Sequence, residues 1–95
     1  MKFGICNEVF EGWSIDDSIR FVAETGYDAI EIAPFTLAQY VTEVPPLERE
    51  RICKLAVDSG IMISAIHWVL IKTEGLYMTH TDPIIRKKTS NYFCD

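Results

Sequence analysis

Three short apolar runs, each followed by an amphipathic stretch, set the rhythm of the chain. Phe3 to Cys6, Ala29 to Ala33 and Met62 to Ile66 are of strand length and nearly continuous in hydrophobic character. That is the pattern of strands buried on both faces of a parallel sheet rather than of strands half exposed to water. Between the runs the spacing becomes helical. Ile15, Ile19, Val22 and Ala23 form one stripe, and Ile52, Leu55 and Ala56 form another. Ile84, Ile85, Lys88 and Tyr92 suggest a third helix near the end.

The punctuation agrees with this division. Ser14 suits an N-cap, and Asp17 three residues on resembles a capping box with Asp in place of Glu. Asp16 and Asp17 suit the positive end of the helix dipole. Gly26 ends this first helix as a left-handed C-cap. Asn7 to Trp13 is expected to be a loop. Pro34 stops the second strand, and a loop to Val44 is expected to hold one helical turn around Leu37 to Tyr40. Pro45-Pro46 opens a helix that runs to about Ser59, with Glu50 and Lys54 as an i,i+4 pair. Gly60 ends it. A loop from Val69 to Thr81, broken by Gly75, leads to a helix start at Asp82-Pro83.

Two segments repeat. Ala23-Glu24-Thr25-Gly26 precedes one strand and Val57-Asp58-Ser59-Gly60 precedes the next, a shift of about 34 residues, the period of serially stacked βα units. The expected class is therefore α/β: three βα units, parallel strands, helices outside. A closed barrel of such units needs eight and about 250 residues. With 95 residues in hand, the expectation is an incomplete barrel, a fragment with an open edge on its last strand. A self-completing three-stranded oligomer is the competing expectation.

Composition narrows the functional classes. At 48% hydrophobic and 24% charged the chain can build a core. A formal net charge of -5 offers no electrostatic footprint for nucleic acid. Arg86-Lys87-Lys88 reads as a solvated helix face. No apolar run approaches the roughly 20 residues of a membrane helix, and the N-terminal run is too short for a signal peptide, so no membrane partner is expected. Cys6, Cys53 and Cys94 are odd in number and widely spaced, as expected of reduced thiols in the cytoplasm. There is no GxGxxG, no HExxH and no Gly-rich phosphate loop.

One set of residues is more telling. Met1 to Cys6, Thr25-Gly26-Tyr27-Asp28-Ala29-Ile30-Glu31-Ile32-Ala33-Pro34-Phe35-Thr36-Leu37, and Ile66-His67-Trp68-Val69-Leu70 resemble the N-terminal part of the xylose-isomerase-like TIM barrels. Glu74-Gly75-Leu76-Tyr77-Met78 and Asp82-Pro83 with Arg86 fit the same resemblance. These are the sugar and sugar-phosphate isomerases and epimerases, in a superfamily shared with endonuclease IV. The resemblance implies that residues 1–95 are the N-terminal portion of a single (β/α)8 domain. It implies a divalent metal in the parent protein (manganese, magnesium, cobalt or zinc) held by two Glu, one Asp and one His on later strands, with a glutamate pair moving protons at carbon. No motif here matches those positions. No metal ligand and no catalytic residue is assigned, and this chain alone is expected to bind no metal and to be inactive.

What remains is a pocket wall for a small sugar or polyol. His67, at the carboxyl end of the third strand, could hydrogen-bond a substrate hydroxyl or serve as a lining histidine. An endonuclease IV-like protein would use it as a metal ligand. Trp68, Trp13 and Phe10 could cover the C–H face of a sugar, or pack among themselves. Glu31 lies opposite Ile30 and Ile32 in strand alternation, so it points inside the sheet curve and needs a partner: it could touch substrate, or pair with a neighbour in the missing half of the barrel. Cys6 ends the first strand as a small lining residue, and His80 is expected to be solvated. The runner-up functions are an endonuclease IV-like nuclease and a non-catalytic half-barrel that self-associates through its open edge.

Overall fold

A computed structural model describes the chain from Met1 to Asp95. In order come β1 (Gly4–Cys6), α1 (Ile15–Glu24), β2 (Ala29–Ile32), α2 (Pro46–Asp58), β3 (Met62–Ile66) and α3 (Pro83–Tyr92). Three 3-10 turns intervene at Asn7–Val9, Pro34–Thr36 and Val41–Glu43. The single turn expected around Leu37 to Tyr40 is thus replaced by two turns flanking that stretch.

Local chemistry sets the helix ends. Ser14 Oγ accepts the Asp17 N–H at 3.1 Å, as an N-cap does. The Asp17 carboxylate accepts the Ser14 hydroxyl at 2.7 Å. It does not close the reciprocal bond to the Ser14 N–H, because Asp is a methylene shorter than the Glu of a full capping box. The two helix-to-strand joints are copies of each other. Gly26 N–H binds Ala23 C=O and Tyr27 N–H binds Val22 C=O; Gly60 N–H binds Val57 C=O and Ile61 N–H binds Ala56 C=O. Each pair is a Schellman motif with glycine in the left-handed position, φ +88° and +79°. The predicted repeat is a repeated joint.

The sheet is parallel, in the order β1-β2-β3. Its core is one cluster: Ile19 and Val22 from α1, Ile52 and Ala56 from α2, Ile30 and Ile32 from β2, and Ile61. Both helices therefore cover the same face. Between α1 and α2, Arg51 grips Asp16 at 2.7 and 2.9 Å and also Glu48 at 2.7 Å. The Arg51 guanidinium holds the Asp16 carboxyl below its usual range. The expected Glu50–Lys54 pair does not form, since Lys54 turns the other way along the helix to Asp58 at 2.7 Å.

A bulge re-aims the end of β3. Ile30 pairs with Ile63 but Glu31 pairs with Ala65, leaving Ser64 extra. The Ser64 hydroxyl donates to the Ile30 carbonyl at 3.4 Å across the irregularity. The ladder then resumes, and the His67 N–H donates to Ile32 C=O at 2.8 Å.

α3 is held by loops rather than by the sheet. Asp82 caps it, accepting the Ile84 N–H at 2.8 Å. Tyr92 Oη accepts the Val41 N–H and Thr89 Oγ1 accepts the Tyr77 N–H, both at 2.8 Å. Arg49 ties the same region together through the carbonyls of Val41, Val44 and Asp95. Of the residues that marked this helix, Tyr92 is buried, as is Thr89 beside it, whereas Ile84 is 74% exposed. Arg86, Lys87 and Lys88 form a solvated face. The molecule is an α/β unit with a three-stranded parallel sheet and three helices, and no helix is long and apolar enough to cross a membrane.

Candidate functional site

The face of the sheet opposite α1 and α2 carries the candidate chemistry. Cys6 and Ala65 stand beside Glu31 in register, one from each neighbouring strand. His67 lies two residues beyond Ala65 and so falls on the same face. Its Nδ1 is 3.5 Å from Glu31 Oε2, with the two side chains 36% and 37% exposed. Both remain open enough to meet a ligand. Glu31 was expected to touch substrate or to pair with a neighbour outside these 95 residues; instead its near neighbour is His67 on the adjacent strand.

Directly after His67 the backbone turns. Trp68 adopts φ +58°, a left-handed conformation uncommon for a residue with a side chain. This lays the indole against the imidazole, with ring centroids 5.4 Å apart and planes at 37°. About half of Trp68 remains exposed. The result is a polar pair, Glu31 and His67, flanked by an aromatic wall at the carboxyl ends of parallel strands, where α/β folds place their sites.

The other two aromatic candidates are elsewhere. Phe10 and Trp13 pack together at 5.4 Å, and each contacts Phe21 of α1, at 5.6 and 5.3 Å respectively. Their ring partners are one another and Phe21, not His67 or Trp68. Both also line an open cleft of about 630 Å³, along with Asn7, Glu8, Phe35 and Lys72. The Lys72 ammonium lies 4.6 Å over the Phe35 ring.

Burial pushes the Cys6 thiol above its ordinary range, and the charges of Glu8 and Glu31 push the same way; backbone hydrogen bonds from Glu8 and Asn7 oppose them. The residue is a neutral thiol at pH 7, suited to lining a site rather than to attack. His80 is tied into its loop: its Nδ1 accepts the Asp82 N–H at 3.0 Å, so it is a lead-in to α3 and not a free solvated ring. No group of three His, Cys, Asp or Glu side chains is arranged to hold a metal ion.

Asn7 is the residue that pattern reading missed. It is 5% exposed. Its Oδ1 accepts the Ala33 N–H at 2.8 Å and its Nδ2 donates to Thr36 Oγ1 at 2.8 Å. It locks the loop after β1 to the loop after β2 directly beside the candidate site. The only signal available was a polar residue placed immediately after an apolar strand.

No family model, curated protein or solved structure matches the chain.

Proposed function

We propose that these residues form the first three βα units of a xylose-isomerase-like (β/α)8 barrel, and that the complete barrel is a metal-dependent isomerase or epimerase of a sugar, sugar phosphate or related polyol in the cytoplasm. The observation that carries the reading is the bare sheet face with Glu31, His67 and Trp68 together at the carboxyl ends of the strands. Sequential strand order with both packed helices on one side suits a singly wound barrel. A doubly wound sheet would place helices on both faces.

His67, backed by Glu31, supplies a hydrogen bond to a ligand hydroxyl, and Trp68 covers an apolar C–H face. Cys6 lines the base of the wall; Phe10 and Trp13 bound the neighbouring cleft. The divalent metal of the resemblance finds no ligand set among these residues, so no step is routed through it. Glu31 on the open face and a net charge of -5 disfavour phosphate-rich DNA.

Titration of the 15N-labelled chain with xylitol, D-ribose 5-phosphate and an abasic DNA duplex tests the reading. The expected response is a set of shifts confined to His67, Trp68 and Glu31 with the carbohydrates and none with DNA. Shifts with DNA alone would reject the isomerase reading in favour of an endonuclease IV-like one.

A second reading has its own observation. Four of the five residues of β3 are exposed, and its outer edge is unpaired. Self-association through that edge and the bare face is the non-catalytic alternative.

A further inference from the structure

We infer that Glu31 fixes the neutral His67 ring with its proton on Nδ1, so that a bare Nε2 is presented as the acceptor for a ligand O–H. The inference deepens the proposed function and rests on it for the nature of the ligand. It rests on geometry alone for the tautomer.

A neutral imidazole carries one N–H and one lone pair, and the surroundings of each nitrogen decide which is which. Glu31 Oε2 faces Nδ1 at 3.5 Å. An ionised carboxylate attracts an N–H at that position and repels a lone pair. The partners on either side of Glu31 do not compete for it: Ala65 has no polar side-chain atom, and the Cys6 thiol donates to Asn7 Oδ1 at 4.0 Å. The ring is flanked by Trp68, tilted at 37° with centroids 5.4 Å apart, and its backbone is anchored by the His67 N–H on the Ile32 carbonyl. Orientation and tautomer are therefore set from different sides, and Nε2 is left without a partner in the chain. Glu31 is a positioning residue in this arrangement, because it acts on the ligand through His67.

The chain contains its own control. His80 Nδ1 accepts the Asp82 N–H at 3.0 Å, so its lone pair is on Nδ1 and its proton is on Nε2. The two histidines should have opposite tautomers. A polyol can use the unoccupied acceptor and the aromatic wall together. Its hydroxyl donates to Nε2, while its C–H face lies on the Trp68 ring.

Long-range 1H–15N correlation spectra of the whole chain, recorded about two units above the ordinary histidine pKa, read the tautomers directly. His67 is expected to show a protonated Nδ1 and an imine-like Nε2, and His80 the reverse. Glu31→Ala should abolish the His67 preference and leave His80 unchanged. Glu31→Gln, whose amide oxygen still accepts, should retain part of it, which also covers the case in which the alanine variant does not fold. An Nε2-protonated His67 in the unaltered chain, or an unchanged tautomer in Glu31→Ala, would overturn the inference. The expected tautomers without any response to xylitol would leave the Glu31 assignment standing and reject the polyol reading instead.

Discussion

Asn7 shows how much a single side chain contributes at the carboxyl end of this sheet. The Ala33 N–H it receives is buried and has no other acceptor within the strand ladder, since β2 has ended. Removing the acceptor leaves that donor unsatisfied, at a cost of about 1–3 kcal/mol. Asn7→Ala should therefore lower the urea midpoint by an amount equivalent to about 2 kcal/mol with an unchanged m value. A change below a few tenths would mean that water replaces the amide. The sequence hid this role because both partners, Ala33 and Thr36, lie 26 and 29 residues away. His67 was the opposite case. A histidine at the exit of an apolar run is visible in one dimension, as was the inward direction of Glu31. Their mutual contact was not visible, because it depends on the register of β2 against β3 and on the Ser64 bulge. The positive φ of Trp68 has no sequence signature at all, since nothing in the side chain favours it.

At the scale of elements, most boundaries were legible because each was marked by a residue with a single mechanical reason to be there. Asp82-Pro83 starts α3 and Pro46 starts α2. Gly26 and Gly60 end α1 and α2 through the same two hydrogen bonds. A Cβ at either glycine meets no atom within 4 Å, so the cost of Gly→Ala is conformational and not steric. Gly26→Ala and Gly60→Ala should each destabilise by about 1–2 kcal/mol, the cost of a left-handed L-residue. D-alanine at the same positions in a synthetic chain should abolish that loss, because its allowed region is the mirror image. Equal melting temperatures for the L and D variants would remove the Schellman joints from the account. What the pattern left open was burial in α3. Ile84 marks the helix but stays exposed, because the helix is held to the Val41–Glu43 turn through Tyr92 and to the loop at Tyr77 through Thr89 rather than to the sheet. A stripe of apolar residues says which face can be buried, not whether a neighbour reaches it.

The whole molecule is more open than its composition requires. Its radius of gyration is 14.7 Å, against roughly 13 Å for a compact domain of about 100 residues. The accessible surface of 6288 Å² exceeds the roughly 5600 Å² typical of a folded monomer of this mass. The excess has an identifiable source. One sheet face has no covering layer, β3 has a free edge, and α3 stands off the sheet, leaving Met62 and Ile66 about half exposed. Parallel sheets occur almost always with both faces covered, and unpaired edges recruit further strands. The chain should therefore associate reversibly as its concentration rises. Sedimentation velocity should show a weight-average mass climbing from that of the 10.9 kDa monomer toward a dimer or larger species. Met62 is suited to test the surface involved. It is 54% exposed at the amino end of β3, beside Ala29 in register and remote from the His67 exit of the same strand. Met62→Lys places a charge on the bare face without touching the Glu31–His67 pair, and should weaken association about tenfold or more, the equivalent of about 1.4 kcal/mol. Its carbohydrate response at His67 should be unchanged. A mass that stays monomeric at every concentration would show that loop-held α3 and solvent suffice to satisfy the open sheet, and would exclude the self-associating reading. Association that persists unchanged in Met62→Lys would move the contact off this face, to the apolar groove between α2 and Ile66.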